Sequence, residues 1–527
     1  MNYLSLFRII SLSAIMIMAI ALQTHIIISG DITWLMHVGK NFLAGGHYYT
    51  DFIEVNPPMA IYIYLIPVIL SQLLSISFIT SITIYIFCVA MIAWLVCSYL
   101  LNKIFAPADS AIHYFFETML TFALFVLPAY AFGQREYLLV TLILPYLLLA
   151  VLRLQKQTLN KVGALLIGIA AGIGFTIKPF FLFAWLFIEL YLALRTKSIK
   201  LIFRSETISC LALFLIYALS IVLVTPEYIK QTELLIQPTY YFNFHVPFSL
   251  LLINNLVIFG VILLIIFGLT RKTLKYQALG DLLAVSIISM LVNFLLQQTL
   301  WFYHIFPVLF FSTLLLALTA TSYIQANNPF KFSAINWPFF RESLKFLALC
   351  FLVIYIFFVT FSNIKVGFYL TKVLFNNPIY RIAKSARGQP IYIFTNNIAT
   401  NYPLIDYADT YSPSAFPCLW LINAAHKLEQ QDKTTAKQQQ AAQIANFVRA
   451  KDIDNIIKYK PLFIFVQNKD NFMVLNRNFL FTYSYKVEQL PTFDFLGFFL
   501  QDPTFARYWQ NYHYQGQAGT FAVYELK

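Results

Sequence analysis

The sequence predicts an α-helical polytopic membrane protein with a C-terminal α/β domain, and three observations predict this class. Of the 527 residues, 60% are hydrophobic and 11% are charged, whereas soluble domains are about 45–50% apolar and about 25% charged. Long apolar runs recur from Leu4 to about Phe361. Residues 363–527 instead have the charges, amides and short mixed elements of a globular domain. We therefore expect a membrane domain at 1–362 and a soluble domain at 363–527.

Eleven apolar runs are candidates to cross a bilayer whose hydrocarbon core is about 30 Å thick. They lie near 5–28, 78–101, 115–131, 137–152, 162–177, 179–194, 206–224, 247–269, 281–297, 302–322 and 343–362. A further run at about 59–75 is ambiguous. The first run is longer than a signal-peptide core of about 7–15 residues, and no small-residue cleavage pattern follows it. It is therefore predicted to be an uncleaved helix.

The distribution of basic residues predicts the topology. If 59–75 does not cross, fifteen lysines and arginines lie in the loops on the N-terminal side and four lie in the opposite loops. The fifteen are Arg8, Lys103, Arg153, Lys156, Lys161, Arg195, Lys197, Lys200, Arg204, Arg271, Lys272, Lys275, Lys331, Arg341 and Lys345, and the four are Lys40, Arg135, Lys178 and Lys230. Because cytoplasmic loops carry the basic excess, the N-terminus is predicted to be cytoplasmic and the C-terminal domain external.

A crossing at 59–75 would move fourteen of the fifteen basic residues to the external side. We therefore expect this run to be a helix at the outer interface. Pro57 and Pro58 support a fixed turn into it, because proline presets its own φ and disfavours helix in the residue before it. Interfacial helices in the first external loop are thus part of the predicted fold.

Several functional classes are excluded by the same composition. The net charge of +13 is carried by short loops beside membrane helices, and no nucleic-acid recognition motif is present, so a nucleic-acid partner is not expected. Four of the five cysteines lie in apolar runs and no CxxC pair occurs, so neither a disulfide framework nor a cysteine metal site is predicted. HExxH, P-loop, GxGxxG and GxSxG motifs are also absent.

Polar residues gather on the predicted external face, which suggests a polar cavity there. The loop after the first helix carries Asp31, Asp51, Glu54 and Asn56. Three other external segments contribute Gln134, Arg135, Glu136, Lys178, Tyr303 and His304.

These residue types fit sugar transfer from a lipid-linked phosphate. A carboxylate directly after a membrane helix, as at Asp31, suits a general base for an acceptor hydroxyl. Arg135 and Lys178 are suited to hold the donor phosphate, the arginine by paired hydrogen bonds and the lysine as a point charge. Asp51, Glu54 and His304 are candidates to orient the sugar or a metal ion.

Each candidate also has a structural interpretation. Asp31 is a candidate helix cap, and Asp51 and Glu54 are candidate solvated loop charges. Arg135 next to Glu136 is compatible with a local ion pair, and Lys178 at a helix mouth with a snorkelling lysine. His304 beside Tyr303 also fits an interfacial aromatic zone.

The loop pattern G-D-x-x-x-x…G-x-x-Y-x-D-x-x-E-x-N-P-P, which runs from Gly30 to Pro58, resembles the glycosyltransferase C superfamily. The resemblance is to bacterial membrane proteins similar to protein O-mannosyltransferases and lipid A aminoarabinose transferases. It implies a polyprenyl-phosphate-sugar donor, inversion at the anomeric carbon, and a catalytic carboxylate carried onto Asp31. It also implies that Gln134, Arg135 and Glu136 match a second external loop, and that the protein lies in a bacterial inner membrane.

One departure concerns a metal ion. Many members of that superfamily have an Asp-Glu pair at the first-loop site, whereas Ile32 follows Asp31 here. If a divalent cation is used, as in some members, its ligands would come from Asp51, Glu54, Glu136 or His304. The need for a metal is left open.

The C-terminal region is predicted to alternate strands and helices. Strands are expected at 391–394, 462–466 and 521–526, and helices at 413–429 in part, 433–458 and 495–512. The runs at 391–394 and 462–466 are apolar at successive positions, as in parallel strands buried on both faces. No catalytic set is apparent in this domain. Contact with the acceptor or shielding of the cavity are its expected uses.

Two other functions compete with the enzyme hypothesis. A transporter or lipid flippase would place its substrate groups near the bilayer midplane and would show internal repeats, and no repeat is found. A structural membrane protein without chemistry would need the first-loop carboxylates to diverge in space. The expected partners of the enzyme are the lipid-linked donor, membrane lipids and an acceptor of unknown type.

Overall fold

The computed structural model describes residues 3–327, 337–431, 434–478, 482–491 and 493–527. Lys331, which belongs to the basic residues counted above, lies outside them. The helices up to residue 376 are α1 (Tyr3–His25), α2 (Gly30–Leu43), α3 (Met59–Leu74), α4 (Phe78–Ile104), α5 (Ser110–Phe125), α6 (Arg135–Leu154), α7 (Lys161–Thr176), α8 (Leu182–Thr196), α9 (Ser205–Leu223), α10 (Glu227–Gln231), α11 (Gln237–Phe244), α12 (Phe248–Leu252), α13 (Asn255–Thr270), α14 (Gln277–Gln297), α15 (Phe302–Asn327) and α16 (Trp337–Asn376).

The remaining elements alternate, as the sequence predicts for a small α/β domain. They are α17 (Pro378–Ser385), β1 (Ile391–Phe394), α18 (Ile398–Asn401), α19 (Leu404–Ala408), α20 (Trp420–Gln431), α21 (Thr435–Tyr459), β2 (Phe463–Gln467), β3 (Lys469–Asn478), β4 (Thr482–Pro491), α22 (Phe495–Leu500), α23 (Pro503–Trp509), β5 (Tyr512–Ala518) and β6 (Phe521–Leu526).

Nine helical segments among the described residues are long and apolar enough to cross a membrane. They are α1, α4, α6, α9, α14, α15 and α16, together with α8 plus the turn before it (Pro179–Thr196) and α13 plus the turn after it (Asn255–Thr273). Two further predicted crossings coincide with α5 and α7, which have 16 residues each. The class of multi-pass helical membrane protein is therefore confirmed. The number of eleven crossings and the orientation stay predictions.

The chain divides into two compact units, each built from separate stretches. The first unit contains Met1–Ile27, Thr83–Val222 and Val246–Phe368. The second contains Ile28–Ile82, Leu223–His245 and Tyr369–Lys527. The sequence predicts a single cut at 362/363, whereas two loop segments group with the C-terminal region.

Within the first unit, α6 and α15 are central. In their most apolar stretches 83% and 89% of the residues are buried, against 11% in α1. Close helix packing here depends on glycine: a Cβ at Gly168 of α7 would lie 2.1 Å from the carbonyl oxygen of Glu206, and one at Gly172 would lie 2.7 Å from Leu213, both in α9. Small residues four apart let two helix backbones approach.

The second unit contains a four-stranded sheet of order β1-β2-β6-β5. Strands β1 and β2 are parallel and all their residues are buried, which confirms the sequence prediction for them. The helix predicted at 495–512 is wrong in its extent: α22 ends at Leu500, Asp502 caps α23 through the backbone N–H groups of Thr504 and Phe505, and β5 begins at Tyr512. An aspartate cap followed by proline at the first helical position starts a new helix.

The sequence analysis missed three strands of this unit. The hairpin of β3 and β4 forms a separate two-stranded sheet, and β5 pairs with β6 across a bulge near Gly516. The same unit contains the helical hairpin of α2 and α3, in which Gly39 packs against Leu65 and Val68. The run at 59–75 is thus a helix packed on α2.

Candidate functional site

Four polar side chains from separate helix ends meet in the first unit, and we call them the Lys178 cluster: Glu136, Lys178, Gln297 and His304. Glu136 lies in the first turn of α6, Lys178 follows α7, Gln297 ends α14 and His304 lies in the first turn of α15. The Nζ atom of Lys178 is 2.5 Å from Glu136 Oε1, 3.1 Å from Gln297 Oε1 and 3.0 Å from His304 Nε2. An ammonium group has three donors, and these three partners are all within hydrogen-bonding distance of it.

The contacts of His304 define its tautomer. Nε2 faces an ammonium group that can only donate, so Nε2 must accept. Nδ1 then carries the proton and donates to the Thr299 hydroxyl. His304 in this arrangement is therefore neutral, and Thr299 orients its ring.

The cluster is buried together with its neighbour Arg135. Glu136 is 0% exposed, His304 3% and Lys178 8%. Arg135 is also buried, and its guanidinium lies 5.8 Å from the ring centre of Tyr303, as does Lys178 Nζ. Two cationic side chains thus lie close together away from solvent, which is an arrangement that can bind an anionic group.

One atom of the cluster has spare hydrogen-bonding capacity. Within the part of the chain that the structure describes, the buried Oε2 of Glu136 accepts no hydrogen bond. A carboxylate that shares one oxygen with an ammonium group and leaves the other unsatisfied is incompletely stabilised. This makes Glu136 the partner of Lys178 that is most readily exchanged.

These positions bear on two of the alternative interpretations, the snorkelling of Lys178 and the local ion pair of Arg135 with Glu136. The prediction that Lys178 merely snorkels is wrong, because its ammonium group is buried and has three partners. Glu136 forms its ion pair with Lys178, and its Oε1 atom lies 3.4 Å from Nε2 of the neutral His304. Gln134 precedes α6 at the N-cap position and is 1% exposed. Of the site residues predicted in this unit, Glu136, Lys178 and His304 are in contact, with Arg135 and Tyr303 beside them.

The opposite end of the same helices has a different arrangement, which the sequence analysis missed. Glu136 and Arg153 are 17 positions apart in α6, or about 26 Å along a helix. Three arginines at this second end each bind one carboxylate through two nitrogens. The pairs are Arg8–Glu117 (2.6 and 2.9 Å), Arg153–Glu206 (3.0 and 3.0 Å) and Arg271–Asp281 (2.5 and 2.6 Å).

Asp31 belongs to the second unit, where it lies in the first turn of α2 and is half-buried. The N-cap of α2 is Ser29, so the alternative in which Asp31 is the cap is wrong. A Cβ at Gly30 would lie 2.3 Å from the carbonyl oxygen of Tyr402, so the start of α2 needs glycine. A negative charge in the first turn of a helix interacts favourably with the helix dipole.

The helix that carries Asp31 is anchored by two further side chains, spaced three residues apart on α2. Trp34 Nε1 donates to Glu54 Oε2 at 2.5 Å, and His37 Nε2 is 2.8 Å from Asp406 Oδ1. The sequence analysis missed Trp34, His37 and Asp406 as supporting residues. Their spacing relative to Asp31 was visible, but their partners are distant in the sequence.

Glu54 holds the first loop together. It is 3% exposed, its Oε1 accepts from the backbone N–H of Asn56 at 2.7 Å and from the Asn56 side-chain amide, and its carbonyl oxygen accepts from Gln231 Nε2 at 2.6 Å. The interpretation of Glu54 as a solvated charge is therefore wrong. Its use, or that of Asn56, in orienting a sugar stays a prediction.

Asp51 is exposed, as the solvated-charge interpretation expects. Burial acts against its charged form, but hydrogen bonds from the His47 backbone N–H and the Thr50 hydroxyl, both 2.9 Å, and the charges of Lys451 and His47 outweigh this and lower the pKa of Asp51. These contacts order the tip of the loop. No contact between Asp51 and Glu54 or Asn56 supports a common site.

A metal site was left open by the sequence. Among the residues that the structure describes, no group of three or more histidines, cysteines, aspartates or glutamates is arranged to hold a metal ion. Of the four candidate ligands, Glu136 and His304 are neighbours, and Lys178 contacts both.

No protein-family model matches the chain, and no curated protein matches it significantly. The interpretation of the site therefore depends on its own residues.

Proposed function

We propose that this protein is an inverting glycosyltransferase that moves a sugar from a polyprenyl-phosphate donor to an acceptor hydroxyl on the external face of a bacterial inner membrane. The observation that carries the proposal is the buried Lys178 cluster with Arg135, which brings two cationic side chains together at helix ends. Buried cationic side chains of this kind suit the phosphate of a sugar-phosphate-lipid. The eleven crossings predicted from the sequence, counting α5 and α7, put this cluster at the external end of the bundle.

The donor phosphate would take the place of Glu136 on Lys178. The planar guanidinium group of Arg135 is suited to donate to two phosphate oxygens. The ammonium group of Lys178 supplies a point charge. As the bond from the anomeric carbon to the phosphate oxygen breaks, the leaving phosphate gains a second negative charge. Preorganised cations in a buried site stabilise such developing charge more strongly than water does.

Asp31 would act as the base. Its carboxylate takes the proton of the acceptor hydroxyl, the oxygen of that hydroxyl forms the new bond to the anomeric carbon, and polyprenyl phosphate leaves from the opposite face, with inversion. The half-buried position of Asp31 and the anchors at Trp34 and His37 support this role, because a base must be held in a fixed direction. The resemblance of the loop from Gly30 to Pro58 supports the same residue.

The test is a transfer assay on the full-length protein in proteoliposomes, with a panel of polyprenyl-phosphate-linked sugars and a cell-envelope extract as the acceptor. Release of polyprenyl phosphate and formation of the new glycoside are both measured. Asp31→Asn should lower the rate by about 10²–10⁴-fold. The matched control is Asp409→Asn, an exposed aspartate of the same unit paired with Arg387.

The outcomes separate the hypotheses. An unchanged rate in Asp31→Asn would refute the assignment of the base. Movement of an intact lipid-linked sugar across the bilayer, with no release of polyprenyl phosphate, would show a transporter instead.

A further inference from the structure

The second unit contains a groove between α20, α21 and α22, remote in sequence from the residues discussed so far. Its volume is about 640 Å³ and it is open on one side. Ligand pockets in proteins usually have volumes of about 300–1,000 Å³, with an apolar lining and a few placed polar groups. The groove has a volume in this range and a lining in which apolar and polar side chains are mixed.

Small residues create the space. Ala425 of α20 and Ala441, Ala442 and Ala445 of α21 line the groove, and alanine side chains leave room between two packed helices. The phenyl rings of Phe493 and Phe498 line it as well, with centroids 5.6 Å apart and planes at 66°. The groove thus offers apolar faces of limited area.

Arg449 fixes two amides of the rim. Its Nη2 donates to Asn446 Oδ1 at 2.9 Å and its Nη1 to Gln501 Oε1 at 3.1 Å, while its guanidinium lies 4.7 Å from the ring centre of Phe498. A guanidinium group can only donate, so both amides turn their oxygens toward Arg449. Their NH₂ groups are then the donors that remain for a ligand in the groove.

Acceptors complete the rim. The carboxylates of Glu429 and Asp494 line the groove, and Asp494 Oδ1 is fixed by the Gly497 backbone N–H at 2.9 Å. His426 lies 3.5 Å from Glu429 Oε2, with its ring centroid 5.9 Å from that of Phe493. Fixed donors and acceptors around aromatic faces match a molecule with many hydroxyl groups.

We infer that this groove binds a saccharide, neutral or amino-substituted. Two carboxylates in the lining disfavour phosphate or carboxylate ligands through like-charge repulsion, and the polar rim disfavours a purely apolar ligand. Binding is inferred independently of catalysis. Use of the groove for the acceptor glycan depends on the proposed function.

The test measures binding to the full-length protein in nanodiscs, without any lipid-linked donor. The probes are methyl glycosides of neutral hexoses and N-acetylhexosamines and their β1,4-linked disaccharides, with glucuronic acid and a hexose 6-phosphate as anionic comparisons. Ala442→Phe should fill the groove and reduce the affinity at least tenfold. The matched control is Ala450→Phe, an exposed alanine of the same helix outside the lining, which should leave the affinity unchanged.

A second variant keeps the inference testable if Ala442→Phe does not fold. Glu429→Gln keeps the shape of an exposed rim residue and should weaken neutral saccharides several-fold while improving the anionic probes. Absence of saturable binding by any neutral probe, preference of the wild type for the anionic probes, or equal effects of Ala442→Phe and Ala450→Phe would each overturn the inference. Because no donor is present, failure here leaves the transfer assay unaffected, and a failed transfer assay leaves this result intact.

Discussion

The two ends of the helical bundle carry their buried charges differently. At one end, Arg8, Arg153 and Arg271 each hold a single carboxylate through two parallel hydrogen bonds. At the other end, one lysine is shared among a carboxylate, an amide and a neutral imidazole. Paired hydrogen bonds fix geometry as well as charge. A lysine with three unlike partners is better suited to exchange one of them for a ligand.

We interpret this difference as one between structural and ligand-binding charge. The carboxylates at both ends are buried, so their burial alone does not distinguish the ends. An unsatisfied carboxylate oxygen also occurs at both ends, on Glu136 and on Glu189, which pairs with Arg204. The distinction is that the three arginine pairs join helices through paired hydrogen bonds, whereas Lys178 has unlike partners and has Arg135 beside it. We expect variants at the end with the arginine pairs to change stability and variants at the end with the Lys178 cluster to change ligand binding.

The largest effect is expected at Asp452 of the second unit. This buried acid differs from the carboxylates at the two ends of the bundle, because its hydrogen-bond donors are hydroxyl and backbone groups. Burial raises the pKa of Asp452 to about 7, although the Tyr392 hydroxyl (2.6 Å), the Ser414 hydroxyl (2.9 Å), the Ala415 backbone N–H and the charge of Lys451 act in the opposite direction. The folded form therefore holds a proton that the unfolded form releases above about pH 4.

Stability of the second unit should accordingly fall as the pH rises from about 4 to about 7, by at most about 4 kcal/mol. Alkylation of the buried Cys418, followed by mass spectrometry, reports the opening of this unit. The alkylation rate of Cys418 in the wild type, divided by its alkylation rate in Asp452→Asn at the same pH, should rise as the pH rises from about 4 to about 7. A constant ratio would show that Asp452 stays ionised in the folded protein.

The next effect concerns the Lys178 cluster. Lys178→Met removes the cation that would hold the donor phosphate, so the transfer rate should fall by about 10²–10³-fold, the usual loss for one preorganised group that stabilises developing charge. Lys178→Arg should not restore the rate, because a planar fork does not reproduce three divergent donors. The assay is release of polyprenyl phosphate in proteoliposomes. Wild-type activity in Lys178→Met would remove the cluster from the mechanism.

At the opposite end, Arg8→Met should lower the free energy of unfolding by about 3 kcal/mol, because it leaves the fully buried Glu117 without its cation. The double variant Arg8→Met/Glu117→Gln should recover most of this loss, since no buried charge remains. Thermal unfolding in detergent measures both, and donor affinity should not change in the variants that fold. Reduced donor affinity in the folded double variant would contradict the division between the two ends.

A smaller effect tests the orientation of His304. Thr299→Val removes the acceptor of the Nδ1 proton, so the His304 ring loses its fixed tautomer. The lost hydrogen bond contributes about 1 kcal/mol, which corresponds to roughly a fivefold weaker donor affinity. Thr313→Val is the matched control, because this buried threonine of α15 bonds only locally, to the Leu309 carbonyl oxygen. Equal affinities in the two variants would remove Thr299 from the site.

Much of this architecture could be predicted from local sequence patterns. Apolar runs marked the membrane helices because hydropathy is a property of each segment, and basic loops placed Glu136, Lys178 and His304 at one end. The proline and aspartate that divide 495–512 into α22 and α23 were visible but were not used. The interfacial position of α3, predicted from the basic residues with support from Pro57 and Pro58, stays a prediction, while the structure shows that α3 packs on α2.

The contacts themselves could not be predicted, because they join distant positions. Arg8 and Glu117 are 109 residues apart, and Lys178 and His304 are 126 apart. No local period reports which helices become neighbours. Glu54 had a solvated-charge interpretation, but Trp34 and Asn56 bond to its carboxylate, and that outcome depends on the path of the whole loop.

The most direct test of the central claim is the affinity of the protein for polyprenyl phosphate in nanodiscs. If Glu136 occupies the position on Lys178 that the donor phosphate takes, Glu136→Gln should tighten binding about tenfold, equivalent to about 1.4 kcal/mol. Glu117→Gln, the same change at the other end of the bundle, should have no effect. Unchanged or weaker binding in Glu136→Gln would contradict the account.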